Sequence, residues 1–197
     1  MTPLETERLI LRNWQEHDRE LFHLINSDDQ VMAFFPMRRS RADADRLMDR
    51  IAAGIAQNGF GLAAVEIAET GEVAGFAGLN ITNGLPVAED GAIEIGWRLA
   101  PQFWGKGYVS EAALRWLDYG FGELGLDRII SFAVADNHRS TAVMRRIGMH
   151  PRPDLDFDHP NVPDTHPHLK SHVFYEMRPG DARGSTSFKA GHEKGGL

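Results

Sequence analysis

Cysteine is absent from the 197-residue sequence. That absence excludes disulfide cross-links, thiolate metal sites, a cysteine nucleophile and any covalent S-acyl relay. No apolar run approaches the roughly 18 residues that a membrane span needs. The opening MTPLETERLILR also lacks the basic-then-apolar layout of a secretion signal, so a cytoplasmic location is expected. Basic charge is in short supply too: 21 Lys and Arg stand against 28 Asp and Glu, a formal charge of -7. From Gly180 to Leu197, Arg183, Lys189 and Lys194 outweigh Asp181 and Glu193 by one, so residues 1–179 hold -8. A field of that sign repels nucleic acid and anionic lipid and favours cationic partners, amines among them. Chemistry is left to oxygen, nitrogen or a cofactor.

With 42% hydrophobic and 25% charged residues, the chain has the profile of one soluble domain. Its expected span is 1–179. The remainder, GDARGSTSFKAGHEKGGL, is rich in Gly and small polar residues without apolar periodicity, and reads as a disordered tail over 180–197. Leu9 to Leu11 form a strand pattern, and Leu21, Leu24 and Ile25 follow helical spacing from about Gln15 to Asn26. Ser40 and Asp43 can cap a second helix, in which Ala44, Leu47, Met48, Ile51 and Ile55 make one apolar stripe. FGLAAVEIA and EVAGFAGLNI flank a Gly71 turn and predict an antiparallel hairpin. In AIEIGWRL, Ile93, Ile95, Trp97 and Leu99 face one way and Glu94, Gly96 and Arg98 the other. A helix is expected from Gly107 to Phe121, then a buried strand RIISFAVA, a helix HRSTAVMRRI stopped at Gly148, and a late strand HVFYEM. This order predicts an α/β fold. Pro151 to His172 holds 5 of the 10 prolines and 4 of the 9 histidines, and reads as a long irregular functional loop.

The strongest local signal is QFWGKGYVS, Gln102 to Ser110, between the strand that Pro101 ends and an amphipathic helix. Gly105 and Gly107 let the backbone curl so that several N–H groups aim at one place, and the helix adds its positive end. Such a turn can cradle a pyrophosphate. It can equally be a plain tight turn, and these residues alone leave both readings open. It is not a Walker loop, and Ser110 stands where the dinucleotide fingerprint places a third Gly or Ala. Gly59-Phe60-Gly61 opens a strand instead of a helix and is rejected as a phosphate site.

A strand with an acidic residue, then Q-x-x-G-x-G at a helix start, then a strand and an Asn-x-x-Ser helix resembles the GNAT superfamily of N-acetyltransferases. Glu94, Gln102, Gly105, Gly107, Asn137 and Ser140 carry the resemblance. TERLILRNWQEHD and QVMAFFP further resemble the RimJ/RimL-like branch, and the likeness runs over roughly residues 5 to 178. It implies a mixed, mostly antiparallel sheet flanked by helices and splayed between its fourth and fifth strands, AIEIGWRL and RIISFAVA, with acetyl-CoA in the cleft. Backbone groups of Trp97, Arg98 and Leu99 would pair with the pantetheine arm like a further strand. The N–H groups from Trp104 through Gly105, Lys106 and Gly107 to Tyr108 would hold the pyrophosphate, with Ser110 nearby and Gln102 as the motif's first residue. Lys106 reads equally well as a solvated surface lysine.

The implied reaction is attack of a neutral amine on a thioester. At pH 7 deprotonation costs about 1.4 kcal/mol for an α-amine and about 4.6 for a lysine, so an α-amine or a perturbed small-molecule amine is the easier acceptor. Glu94 is the candidate base, acting through a water; pairing with Arg98 on the same strand face is its structural alternative. Asn137 suits a contact to the pantetheine amide and also a helix N-cap. Ser140 is the candidate acid for the leaving thiolate, and a bulge around Ile95 to Trp97 would offer an oxyanion donor. The histidines lack metal-ligand spacing, so no metal is expected. The loop reads instead as an acceptor-side lid, with Trp14, Phe34, Phe35 and His172 assigned to the acceptor pocket. The expected partner is the amine, a small molecule or a protein N-terminus, with no nucleic acid, no membrane and a homodimer as candidate assembly. A non-catalytic CoA-binding or interaction module is the alternative from another class, and the joint presence of Glu94, Asn137 and Ser140 argues against it.

Overall fold

The computed structural model describes residues 1–181, so the expected tail lies outside the described residues except for Gly180 and Asp181, which close a 3-10 turn over Pro179–Asp181. Among the described residues nine strands form one sheet: β1 (Leu4–Glu5), β2 (Leu9–Arg12), β3 (Leu62–Ile67), β4 (Val73–Thr82), β5 (Ala92–Leu99), β6 (Ile129–Val134), β7 (His150–Pro151), β8 (Phe157–Asp158) and β9 (Ser171–Met177). Their spatial order is β1-β2-β3-β4-β5-β6-β9-β7, with β8 also on β9. Every pairing is antiparallel except β5 with β6. This is a mixed α/β fold with an open, mostly antiparallel sheet and flanking helices, as the resemblance implies.

The α-helices among the described residues are α1 (Arg19–Ser27), α2 (Arg41–Asn58), α3 (Tyr108–Gly122) and α4 (His138–Arg146). Ser40 caps α2 by accepting from Asp43 N, and Asn137 caps α4 by accepting from Ser140 N at 3.2 Å. Side-chain parity sets the layers. Phe76 on β4 meets Phe22 of α1 and Trp14, while Leu79, of opposite parity, lies against Gly120 of α3. The β4–β5 register carries that division across: Glu94, Gly96 and Arg98 share the α1 face, and Ile95, Trp97 and Leu99 the α3 face.

One expectation is corrected and another narrowed. No bulge interrupts β5, whose register with β4 runs unbroken from Ala92 to Leu99; the register shift lies instead between Val65 and Glu66 where β3 meets β4. The segment 151–172 is irregular over 159–166 but tied down on either side by the 3-10 turns Pro153–Leu155 and Pro167–Leu169 and by β8. Phe157 pairs with His172 across β8 and β9, Asp156 Oδ1 accepts from Phe174 N, and Phe157 joins Leu85, Ala92, Ile130 and Phe174 in a second small core.

Candidate active site

Parallel pairing of β5 with β6 is confined to Glu94 opposite Ile130. Ser131 Oγ donates to Ile95 O at 2.9 Å, and beyond that bond no ladder joins the two strands. The split opens into a cleft of about 1060 Å³ with the β5 edge along one wall. A strand edge without a neighbour offers unpaired N–H and C=O groups to an extended ligand.

At the far end of β5 the chain turns through Gly105 (φ 75°) and Gly107 (φ 82°), both left-handed, with Lys106 between them at negative φ. Alternation of this kind converges backbone N–H groups into an anion-binding concavity. The first helical bond of α3 runs from Glu111 N to Gly107 O, so the N–H groups of Tyr108, Val109 and Ser110 have no acceptor within the helix. A Cβ at Gly105 would meet nothing within 4 Å, so backbone conformation and not crowding requires glycine there. The turn is held from outside. Arg8 donates to Lys106 O and, through Nε, to Glu111 in the first turn of α3, and Trp104 Nε1 donates to Leu99 O at 2.8 Å. That last bond engages the Leu99 carbonyl; the backbone of Arg98, like that of Ala100, faces β4, so Trp97 is the freer part of the expected pantetheine edge.

Two cationic side chains on α4 reach the same end of the cleft. Arg139 lies 4.3 Å over the Trp104 ring, and Arg146 Nη1 donates to Ser110 Oγ at 3.1 Å. Their spacing of seven residues, two helical turns, was a signal available in the sequence but not used.

Glu94 lies on the cleft floor, with Asn80 opposite it in the register. Desolvation pushes its carboxyl up to about 7, and a hydrogen bond from Asn80 opposes part of that rise. Arg98 does not pair with it. Its Nη1 donates instead to Asn26 Oδ1 at 2.5 Å. Ser140 and Asn137 both line the cleft from the start of α4.

Phe34, Phe35 and His172, assigned to the acceptor pocket, line the cleft, and His159, Asn161 and Val162 from the segment before β9 line it too. His159 and His172 rings lie 5.0 Å apart. Burial pushes both imidazoles down, and for His159 the neighbouring His172 adds to that. Two assigned residues lie elsewhere. Trp14 is a core residue, 7% exposed, edge-on to Phe22 with its Nε1 donating to Leu62 O. Gln102 sits in the 3-10 turn Pro101–Phe103, outside the cleft wall. A large aromatic near a chain turn is more often core than pocket, and nothing in the local sequence of Trp14 distinguishes the two.

The acetyltransferase (GNAT) domain family matches residues 8–150. N-acetyltransferase p20 of Bacillus licheniformis is 30% identical over 152 residues, 75% of this chain and 82% of its own. A GNAT-family acetyltransferase from Bacillus anthracis shares the structure with a TM-score of 0.74 at 26% identity, over 89% of this chain and 98% of its own. The fold is also that of spermidine N-acetyltransferase from Vibrio cholerae in complex with CoA and spermine, TM-score 0.70 at 19% identity over 91% of this chain and all of the other. RimL, a ribosomal α-N-protein acetyltransferase in complex with CoA, likewise shares it, TM-score 0.71 at 16% identity over 89% of this chain and 97% of its own. With the family's domain spanning most of the chain and its open sheet reproduced here, the chain belongs to the GNAT family of acetyltransferases.

Proposed function

We propose that the protein is an N-acetyltransferase that moves an acetyl group from acetyl-CoA to a primary amine, either a protein N-terminal α-amine or a small-molecule amine, by direct attack in a ternary complex, in the manner of the RimJ/RimL-like branch. The observation that carries this reading is Glu94, a carboxyl with a pKa of about 7 on the floor of a cleft whose far end is an anion cradle. A base poised near the working pH combines a usable ionised fraction with proton-accepting strength.

The residues present fit acetyl-CoA. The N–H groups of the Gly105–Gly107 turn and the α3 start suit its pyrophosphate, with Ser110, Arg139 and Arg146 beside them. The open edge at Trp97 suits the pantetheine amides, and Asn137 faces the same space. Bound there, acetyl-CoA supplies an acetyl thioester. Glu94 takes the amine proton, through a water, as nitrogen bonds to the carbonyl carbon. Ser140 donates a hydrogen bond to the sulfur as the C–S bond breaks, and the leaving thiolate takes its proton from solvent. With β5 unbulged, the oxyanion donor falls to a backbone N–H where the β5–β6 ladder ends, next to Ile95. Branch likeness and the cost of deprotonation favour an α-amine, which needs about 3 kcal/mol less than a lysine at pH 7.

Thiol release from acetyl-CoA across small amines, amino acids and N-terminal peptides tests the reading. Turnover with at least one α-amine is expected. Acetyl-CoA binding with no turnover on any amine would refute it.

A further inference from the structure

Among the described residues, no carboxylate forms an ion pair with Arg98. Arg98 shares the α1 face of β5 with Glu94, four residues toward the glycine turn, and lines the cleft. The side chain is held in place: Nη1 donates to Asn26 Oδ1, and Asn26, itself fully buried, donates Nδ2 to Phe22 O. The guanidinium lies 4.3 Å from the Phe35 ring and 5.3 Å from that of Phe76. Its Nε is buried without a partner. The charge that acts on it is another arginine, Arg39, whose N–H donates to Asn26 O and whose Nε is likewise buried and unpartnered.

The same protein treats an enclosed arginine differently elsewhere. Arg12 is met by Asp18 at 2.7 Å and by Glu66 at 2.5 Å. Enclosed charges are ordinarily paired in this way, because an unpaired one bears the whole cost of desolvation. At Arg98 burial and Arg39 together push the guanidinium down to about 10, still fully charged in the physiological range. A fixed guanidinium at a cleft wall, with aromatic rings beside it and no acid, is a receptor for an anion.

We propose that Arg98, with Arg39 behind it, binds a carboxylate carried by the acceptor, so that the acceptor is an amine with a carboxylate several bonds away, as in a short peptide with a free C-terminus. The spacing follows from the strand: four residues of β5 span roughly 13 Å, and the amine must work at Glu94 while the carboxylate reaches Arg98. This rests on the acetyl transfer proposed above and specifies its acceptor class. The acidic exterior does not oppose it, since the two guanidinium groups set the local sign.

The test uses matched acceptors: tri-alanine against tri-alanine amide, and 6-aminohexanoate against its amide. At low salt, wild-type kcat/KM is expected to favour the free acid in at least one pair by about tenfold or more, the scale of one hydrogen bond to a charged group. Arg98→Gln should bring that ratio close to one, chiefly through KM. Arg39→Gln should lower it partway, and serves as the variant of record if Arg98→Gln does not fold. Equal use of acid and amide in both pairs, preference for the amide, or turnover confined to amines without a carboxylate would overturn the inference while leaving acetyl transfer intact. No turnover with any amine at all would instead refute the transfer reaction.

Discussion

The two ends of the cleft are built from different materials. The cradle end is backbone: two left-handed glycines, the first free N–H groups of α3 and the edge of β5, all between Trp97 and Ser110. The wall proposed for the acceptor is side chains brought from distant segments, Asn26 in the last turn of α1, Phe35 and Arg39 before α2, Arg98 on β5, and His159 and His172 on the β8–β9 clasp. A backbone cradle can recognise a cofactor part shared by every member of a fold. Side chains gathered across the fold set what is particular to one protein.

The largest effect separating the two ends is expected at Gly107. Valine there would have to adopt φ near 82°, a conformation that costs a β-branched residue about 1–3 kcal/mol, and relaxation would turn N–H groups out of the cradle. Gly107→Val should abolish measurable acetyl-CoA binding in calorimetry, and an unchanged Kd would dismiss the cradle. Next comes Glu94→Gln, expected to lower turnover by about 10²–10⁴ above pH 7, with the difference shrinking at lower pH where the wild-type carboxyl is already protonated.

The same replacement should raise stability. Because the folded pKa lies above the unfolded one, the unfolded chain loses its proton first, and wild-type stability falls as pH rises from about 4.5 to about 7. Glu94→Gln should therefore melt higher than wild type at pH 8 and close to it at pH 4.5; the reverse ordering in thermal melts would place Glu94 in a solvated setting. Smaller still is Arg146→Ala, which removes one charge beside Ser110 and should weaken CoA severalfold, an effect that fades with added salt. A loss of acceptor discrimination without any change in CoA affinity would move Arg146 to the other end of the cleft.

Legibility follows the same division. The glycine turn, the two caps at Ser40 and Asn137 and the face-sharing of Glu94 with Arg98 are local facts, governed by turn chemistry and by the two-residue period of a strand. The partner of Arg98 is not local. A period-two reading offered Glu94, and the folded chain chose Asn26, 72 positions away. Trp14 went to the core and part of the segment 151–172 to the β8–β9 clasp because long-range burial, invisible to spacing, decided both. Arg139 and Arg146 were within reach, since a seven-residue separation on a helix places both on one side.

The central claim is that Glu94 takes the proton from the attacking amine. The dependence of kcat/KM on pH, measured for wild type and Glu94→Gln with one acceptor, tests it most directly. The wild-type profile should rise through a pKa near 7, and the variant should lose that limb. A profile that keeps the same limb after the replacement would contradict the account.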